Sequence, residues 1–246
     1  MNRPVSRVID DSVRLRLYPE DGCARLIYYF GEHSPGLAAF LDDNLKSGMT
    51  VVDVGANIGA FSLMAARRVG TGGRVLAVEP DPKTLANLVE NVAVNGFVQV
   101  RAINCALGDS EGTTVLSATE ESSRNFLLPA SLDSAVGSSV TVRTLDDVIL
   151  EAGVDSVDYL KIDVEGYEMH VLRGAGQVIR GLRPRVIQLE CIPRLLARYG
   201  SGPVAVGALL EEFGYRVSCL ACGGEQDLSL RLAIEAELIF GPALSS

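Results

Sequence analysis

Two short segments and one isolated acid in this 246-residue chain have residue types and spacings suited to chemistry. The first segment, Asp53-Val54-Gly55-Ala56-Asn57-Ile58-Gly59, follows an apolar run and leads into an apolar-periodic stretch. That is the strand, glycine turn and helix order a nucleotide-binding loop requires. Gly55 lets the backbone turn sharply and approach a ligand, and Gly59 lets the helix pack closely. Asn57 stands where a dinucleotide fingerprint has its second glycine, which gives a pyrophosphate bare backbone. The loop therefore favours an adenosine-type cofactor without phosphates. A Rossmann-type NAD(P)-dependent oxidoreductase and a non-catalytic cofactor-binding protein are the rival readings. Glu79 closes the next apolar run, RVLAVEPD, about 20 residues further on, where an acid can accept both ribose hydroxyls of an adenosine. The alternative is an exposed strand-end carboxylate. Asp53 is expected to receive backbone donors of the loop or a ligand ammonium, because a buried unpaired carboxylate is costly.

The second segment is KIDVEG, 161–166. Alternation along an extended run puts Lys161, Asp163 and Glu165 on one side of the chain. Two carboxylates and an ammonium just before Gly166 are poor packing residues, and open α/β sheets bind ligands at the carboxyl ends of their strands. Asp163 is expected to orient a ligand ammonium or a hydroxyl, and Glu165 to act as a base. A structural salt bridge to Lys161 is the alternative for either. His33, in FGEHSPG, is the other candidate base, since histidine titrates near neutral pH, and Glu32 beside it could orient it. His170, on an expected helix, carries little functional signal.

These side chains need rigid supports, and the chain alternates short β-branched runs with longer amphipathic stretches, the signature of βαβ units. Strands are expected at 50–54, 74–79, 98–104, 113–117, 157–164, 185–190, 216–220 and 236–240, and helices at 58–69, 82–95, 145–152, 167–179 and 203–213. Several strands are apolar at successive positions, as when helices cover both faces of a mostly parallel sheet. In 82–95, Leu85, Leu88, Val89 and Val92 form one stripe, with Pro82 in the first turn and Gly96 as the stop. The polar, serine-rich region 118–140 reads as a long loop or flap that could touch a substrate. The organisation is one α/β domain at 46–246 preceded by an extension, 1–45, expected to contribute to an acceptor site.

The hydrophobic share of 48% and charged share of 22% suit a chain that buries a full core. A net charge of −9 repels phosphate backbones and anionic lipid, which disfavours a nucleic-acid substrate. The first 20 residues hold no continuous apolar h-region. No run approaches the roughly 20 apolar residues of a membrane span. A cytoplasmic protein is expected, with no membrane partner and with a homo-oligomer possible. Five cysteines, an odd number without a secretion signal, are expected as reduced thiols. Cys219 and Cys222 form a CxxC without two further ligands nearby, so small strand-end residues are favoured over zinc.

Taken in order, VVDVGANIGAF, RVLAVEPD, ALGDSEGT, VRTLDDVI and VDYLKIDVEGYEMHVLRGA resemble the FkbM-type methyltransferases, a branch of the class I S-adenosylmethionine-dependent enzymes. The resemblance runs over 46–191 and includes a later LLEEFGYRV. It implies a Rossmann-like, seven-stranded, mostly parallel sheet with its last strand antiparallel and helices on both faces. It also implies S-adenosylmethionine as cofactor and O-methylation of a small hydroxylated acceptor such as a sugar or polyketide. By this resemblance Asp53, Gly55, Ala56, Asn57 and Gly59 belong to the cofactor loop and Glu79, followed by Pro80, is the ribose acid. Ala106 and Asp109 fall on the adenine-contacting stretch, and Asp163 serves both cofactor and chemistry. A metal-dependent relative would carry a lysine three residues after Asp163 and an Asp-Asn pair after the next strand. Here those places hold Gly166 and a strand ending in Glu190, so a metal-independent reaction is favoured, although Asp163, Glu165 and Glu190 could collect a hard cation.

Overall fold

In a computed structural model of the chain, the residues described are 3–31, 36–117, 126–128, 137–219 and 236–242, with the backbone alone at 217–219 and 236–237. The chain opens with an antiparallel hairpin, β1 (Val5–Ile9) and β2 (Val13–Leu17). The cause is the alternation in VRLRL: Val13, Leu15 and Leu17 point inward and are fully buried. Helices α1 (Gly22–Phe30) and α2 (Leu37–Asn44) follow, α1 capped by Asp21, which accepts from the Ala24 amide at 2.8 Å. None of these four elements was among the expected strands and helices. The extension is built into the domain by polar ties: Asn91 and Asn95 accept the Arg16 and Arg14 amides at 2.7 and 2.8 Å, and Asp10 pairs with Arg67 and Arg68.

The main sheet comprises β3 (Thr50–Val54), β4 (Arg74–Val78), β5 (Val100–Ile103), β9 (Tyr159–Ile162), β10 (Val186–Cys191), β11 (Tyr215–Cys219) and β12 (Ala236–Pro242), in the order β11-β12-β10-β9-β3-β4-β5. Every pairing from β10 to β5 is parallel, and β12 runs antiparallel to both its neighbours. This is the expected α/β class with its antiparallel strand. Alternate residues of the central strands feed two cores. Val51 and Val75 pack with the N-terminal elements and α3 (Ala60–Val69). Val52 and Leu76 pack with α5 (Leu145–Glu151), α6 (Glu168–Arg173) and α8 (Pro203–Glu212). Helix α4 is Pro82–Asn95, with the expected bounds and with Leu88 against Ala56 and Ala77, but the stripe is corrected: Val89 is exposed, and Thr84 and Asn91 are buried beside Leu88. The strand order reverses between β3 and β9, which opens a crevice at their carboxyl ends.

Three expectations change. The region 118–140 is not loop throughout: β8 (Gly137–Arg143) pairs antiparallel with β7 (Gly112–Ser117) and parallel with β6 (Ala106–Leu107) in a separate three-stranded sheet. Val140 and Val142 alternate inward and hold it, a two-residue signal easily lost beside a serine run. The strand at 113–117 belongs to this small sheet, while 118–125 and 129–136 lie outside the described residues. The helix expected at 167–179 is broken at Gly174, the C-cap of α6, where the Gly108 carbonyl stands so close that a Cβ would overlap it, and the chain resumes as a wide turn at Val178–Leu182. Cys23, Cys105 and Cys191 are buried free thiols, as expected, whereas the CxxC falls outside the described side chains.

Candidate functional site

The loop after β3 has no freedom to be anything but a ligand cradle or a tight structural turn. Gly55 sits at φ +82°, and a Cβ there would overlap the Asp163 carbonyl oxygen. The Gly55 and Ala56 amides donate to the Val78 carbonyl at 2.9 and 3.0 Å. Asn57 is also left-handed, at φ +51°, and its carboxamide oxygen accepts the next amide, of Ile58, at 2.7 Å, a conformation asparagine tolerates better than other side chains. Gly59, at φ +89°, starts α3 with Leu88 packed where a side chain would stand. Glu79, at the end of β4, accepts the Asn57 amide on one oxygen and the Asp81 amide on the other, each at 2.9 Å. Burial pushes its carboxyl up to about 7.

Lys161 and Asp163 share a side as alternation predicts, and they form the salt bridge that was the alternative reading for Asp163, with Nζ 2.9 Å from Asp163 Oδ2. The alternation argument fails for Glu165, since β9 ends at Ile162 and the chain turns. Glu165 reaches the cavity through a left-handed residue at φ +56°, next to Gly166 at φ +105°. That turn is held by Glu168, a residue sequence reasoning did not single out. Its Oε1 accepts the Val164 and Gly166 amides at 3.2 and 3.1 Å, and its Oε2 is buried without a hydrogen-bond partner among the described residues. Asp53 is not on the cavity wall. It lies fully buried beneath it, accepting Ser62 Oγ at 2.6 Å with the Lys161 ammonium at 3.7 Å, and burial raises its pKa.

A cavity of about 550 Å³ connects these parts. Its walls come from the Gly55–Ile58 backbone, from Glu79 and Pro80, from Cys105, Ala106 and Leu107, and from Asp163, Glu165 and Tyr167, with Glu190 from β10. Residues of α1, including Leu26 and Tyr29, also line it, as do Phe126 and Leu127. Ala106 is therefore brought to the site. Asp109 is not: it is exposed and pairs with His170 Nδ1 at 3.1 Å, whose ring stacks on Tyr167. His33 lies outside the described residues. Among the described residues, no group of three or more His, Cys, Asp or Glu side chains is placed to hold a metal ion. Nor is any helix long and apolar enough to cross a membrane.

The buried acids make stability depend on pH in a stated direction. Burial lifts Glu79 and Glu168 to about 7 and Glu190 to about 9, each above its unfolded value. A raised carboxyl pKa gives stability that is complete below the unfolded value and is lost as pH rises through the folded one. The ligand-free chain should therefore melt at a lower temperature at pH 9 than at pH 6, by roughly 5–10 °C if the three together cost a few kcal/mol. Thermal melts at the two pH values check this, and a flat or rising profile contradicts it.

Residues 53–217 match the family model described as the Methyltransferase FkbM domain. The chain belongs to the FkbM methyltransferase family. It is 32% identical over 186 residues to Methyltransferase sdnD of Sordaria araneosa, covering 63% of this chain and 70% of that protein. To the 31-O-demethyl-FK506 methyltransferase FkbM of Streptomyces tacrolimicus it is 34% identical over 159 residues, 53% of this chain and 60% of that one. The crystal structure of Methyltransferase FkbM from Methylobacillus flagellatus KT shares the fold, with a TM-score of 0.51 at 19% identity over 79% of this chain and 43% of that chain. The family match leaves no support for the dinucleotide oxidoreductase reading. S-adenosylmethionine, the donor implied by the sequence resemblance, would supply an activated methyl group on a sulfonium. The residues present fit it. Bare backbone at Gly55 allows close approach, the Glu79 carboxylate keeps lone pairs beyond the two amides it accepts, and the cavity has the size of a small-molecule site.

Proposed function

We propose that this FkbM-family chain is an S-adenosylmethionine-dependent O-methyltransferase whose acceptor is a hydroxyl of a small molecule such as a sugar, a polyketide or another natural product. The observation that carries the reading is the placement of Asp163 and Glu165 on the same cavity wall as the glycine loop and Glu79. In this reading Gly55, Ala56, Asn57 and Gly59 shape the donor loop, Glu79 and Pro80 receive the ribose, and Ala106 borders the adenine. Asp163, held by Lys161, orients the donor's ammonium or the acceptor hydroxyl, and Glu165 takes the hydroxyl proton. Alignment of the two reactants accounts for roughly 7–11 kcal/mol of barrier lowering, and a positioned base for about 10²–10⁴-fold more. The α1 side chains Leu26 and Tyr29 border the cavity and are 46% and 71% exposed, which supports a role of the N-terminal segment in holding the acceptor. The Streptomyces relative's name, an O-demethyl substrate, supports a hydroxyl acceptor for this chain too. Neither a nucleic acid nor a membrane is part of the proposal. The purified chain should bind S-adenosylmethionine in a 1:1 ratio by calorimetry. A metabolite extract incubated with it and methyl-labelled donor should yield a labelled methyl ether by mass spectrometry. Labelling confined to amines or carbon would overturn O-methylation.

A further inference from the structure

Glu190, next to last in β10, lines the cavity and is the wall carboxyl that the foregoing reading leaves without a task. It has no hydrogen-bond or ion-pair partner among the described residues. The pairing of Leu189 with Ile162 sets Glu190 level with Asp163 on the neighbouring strand, its register partner on β12 is Glu237, and Glu165 lines the same cavity, while Glu168 of α6 acts on it through space. The Lys161 ammonium on β9 also acts on it, but that ammonium already serves Asp163 and Asp53, and on its own strand the adjacent Cys191 is a buried neutral thiol. A partly buried carboxyl set among acids of two neighbouring strands and the turn after β9, with one shared cation, is disfavoured in its ionised form. A positive charge entering the same cavity reverses that balance.

We propose that Glu190 holds a proton in the ligand-free protein and releases it when the cationic methyl donor binds, so that donor binding is coupled to proton release while binding of the product, with its uncharged sulfur, is coupled far less. This rests on S-adenosylmethionine being the donor. Burial and the facing carboxylates lift Glu190 to about 9, so near neutral pH the proton is present to be released. When the acceptor oxygen forms its bond to the methyl carbon, the carbon–sulfur bond breaks with its electron pair left on sulfur, and the hydroxyl proton must go to a carboxylate. With the sulfur now neutral, Glu190 regains its high proton affinity and can take that proton on from Glu165. The sign is fixed: affinity for the donor rises with pH between about 7 and 9, more steeply than affinity for the product.

Titration calorimetry of the whole chain at pH 7.5, in phosphate and in Tris, reads the protons exchanged with S-adenosylmethionine and with S-adenosylhomocysteine. The expected result is more than about half a proton released per donor bound, at least twofold more than per product bound. In Glu190→Gln the difference between the two ligands should vanish. Glu79 does not confuse the comparison, because both ligands carry the same ribose. Equal proton release for the two ligands in the wild type, or an undiminished difference in Glu190→Gln, overturns the proposal. If the variant does not fold, the wild-type comparison decides alone. Absence of binding by either ligand overturns the donor reading itself, and this proposal with it.

Discussion

Gly55→Ala is expected to abolish detectable binding of S-adenosylmethionine and to lower the melting temperature by roughly 10 °C, the equivalent of about 3–5 kcal/mol for a chain of this size. Two costs combine. Alanine at φ +82° is strained by about 1–2 kcal/mol, and its Cβ would overlap the Asp163 carbonyl, which is backbone and cannot rotate away. Relief requires the loop and the turn after β9 to separate, and those are the two segments that meet at the cavity. Gly96→Ala is the internal control. It shares a positive φ, +66°, but a Cβ there meets nothing within 4 Å, so only the conformational cost of about 1 kcal/mol is expected, with donor binding unchanged. Thermal melts and calorimetry on both variants test the argument, and a Gly55→Ala protein that binds the donor like the wild type would refute it.

Lys161→Met should destabilise the chain by about 3–5 kcal/mol, the usual cost of removing one partner of a buried ion pair. Asp53 is 0% exposed, and without the ammonium at 3.7 Å only the Ser62 hydroxyl remains to it among the described residues, so its carboxyl would take a proton. Asp163 would lose its 2.9 Å contact at the same time. Methionine keeps the stem packed near Phe61, whose ring centroid lies 5.5 Å from Nζ, so the loss reports charge more than volume. Adding Asp53→Asn should recover part of the loss, because the orphaned charge is then absent. A coupling of about 2 kcal/mol in denaturant melts of the four-protein cycle is expected. Additive effects would show that the two side chains do not depend on each other.

Much of this was legible from residue order. The bounds of α4 and the Gly55–Gly59 turn depend on helix stop signals and on backbone conformations only glycine or asparagine adopts cheaply, and these are written in neighbouring residues. Alternation along VRLRL was also present in the N-terminal segment, but no partner strand of comparable pattern announced a hairpin. The need for glycine at the end of α6 was invisible because the Gly108 carbonyl that crowds Gly174 lies 66 positions away in the chain.

The sequence by itself determined the α/β class, the cofactor loop and the acids at strand ends, since each is a matter of hydrophobic period and residue type. Only the tertiary structure decided what each acid does. It sank Asp53 below the wall to pair with Ser62 and Lys161, turned Asp109 outward to His170, and brought Glu165 in through a left-handed turn held by Glu168. It also placed Glu190 among carboxylates from two other elements. A carboxyl's protonation and partners depend on burial and on charges remote in sequence, and these come into being when the strands pair and the helices close over them.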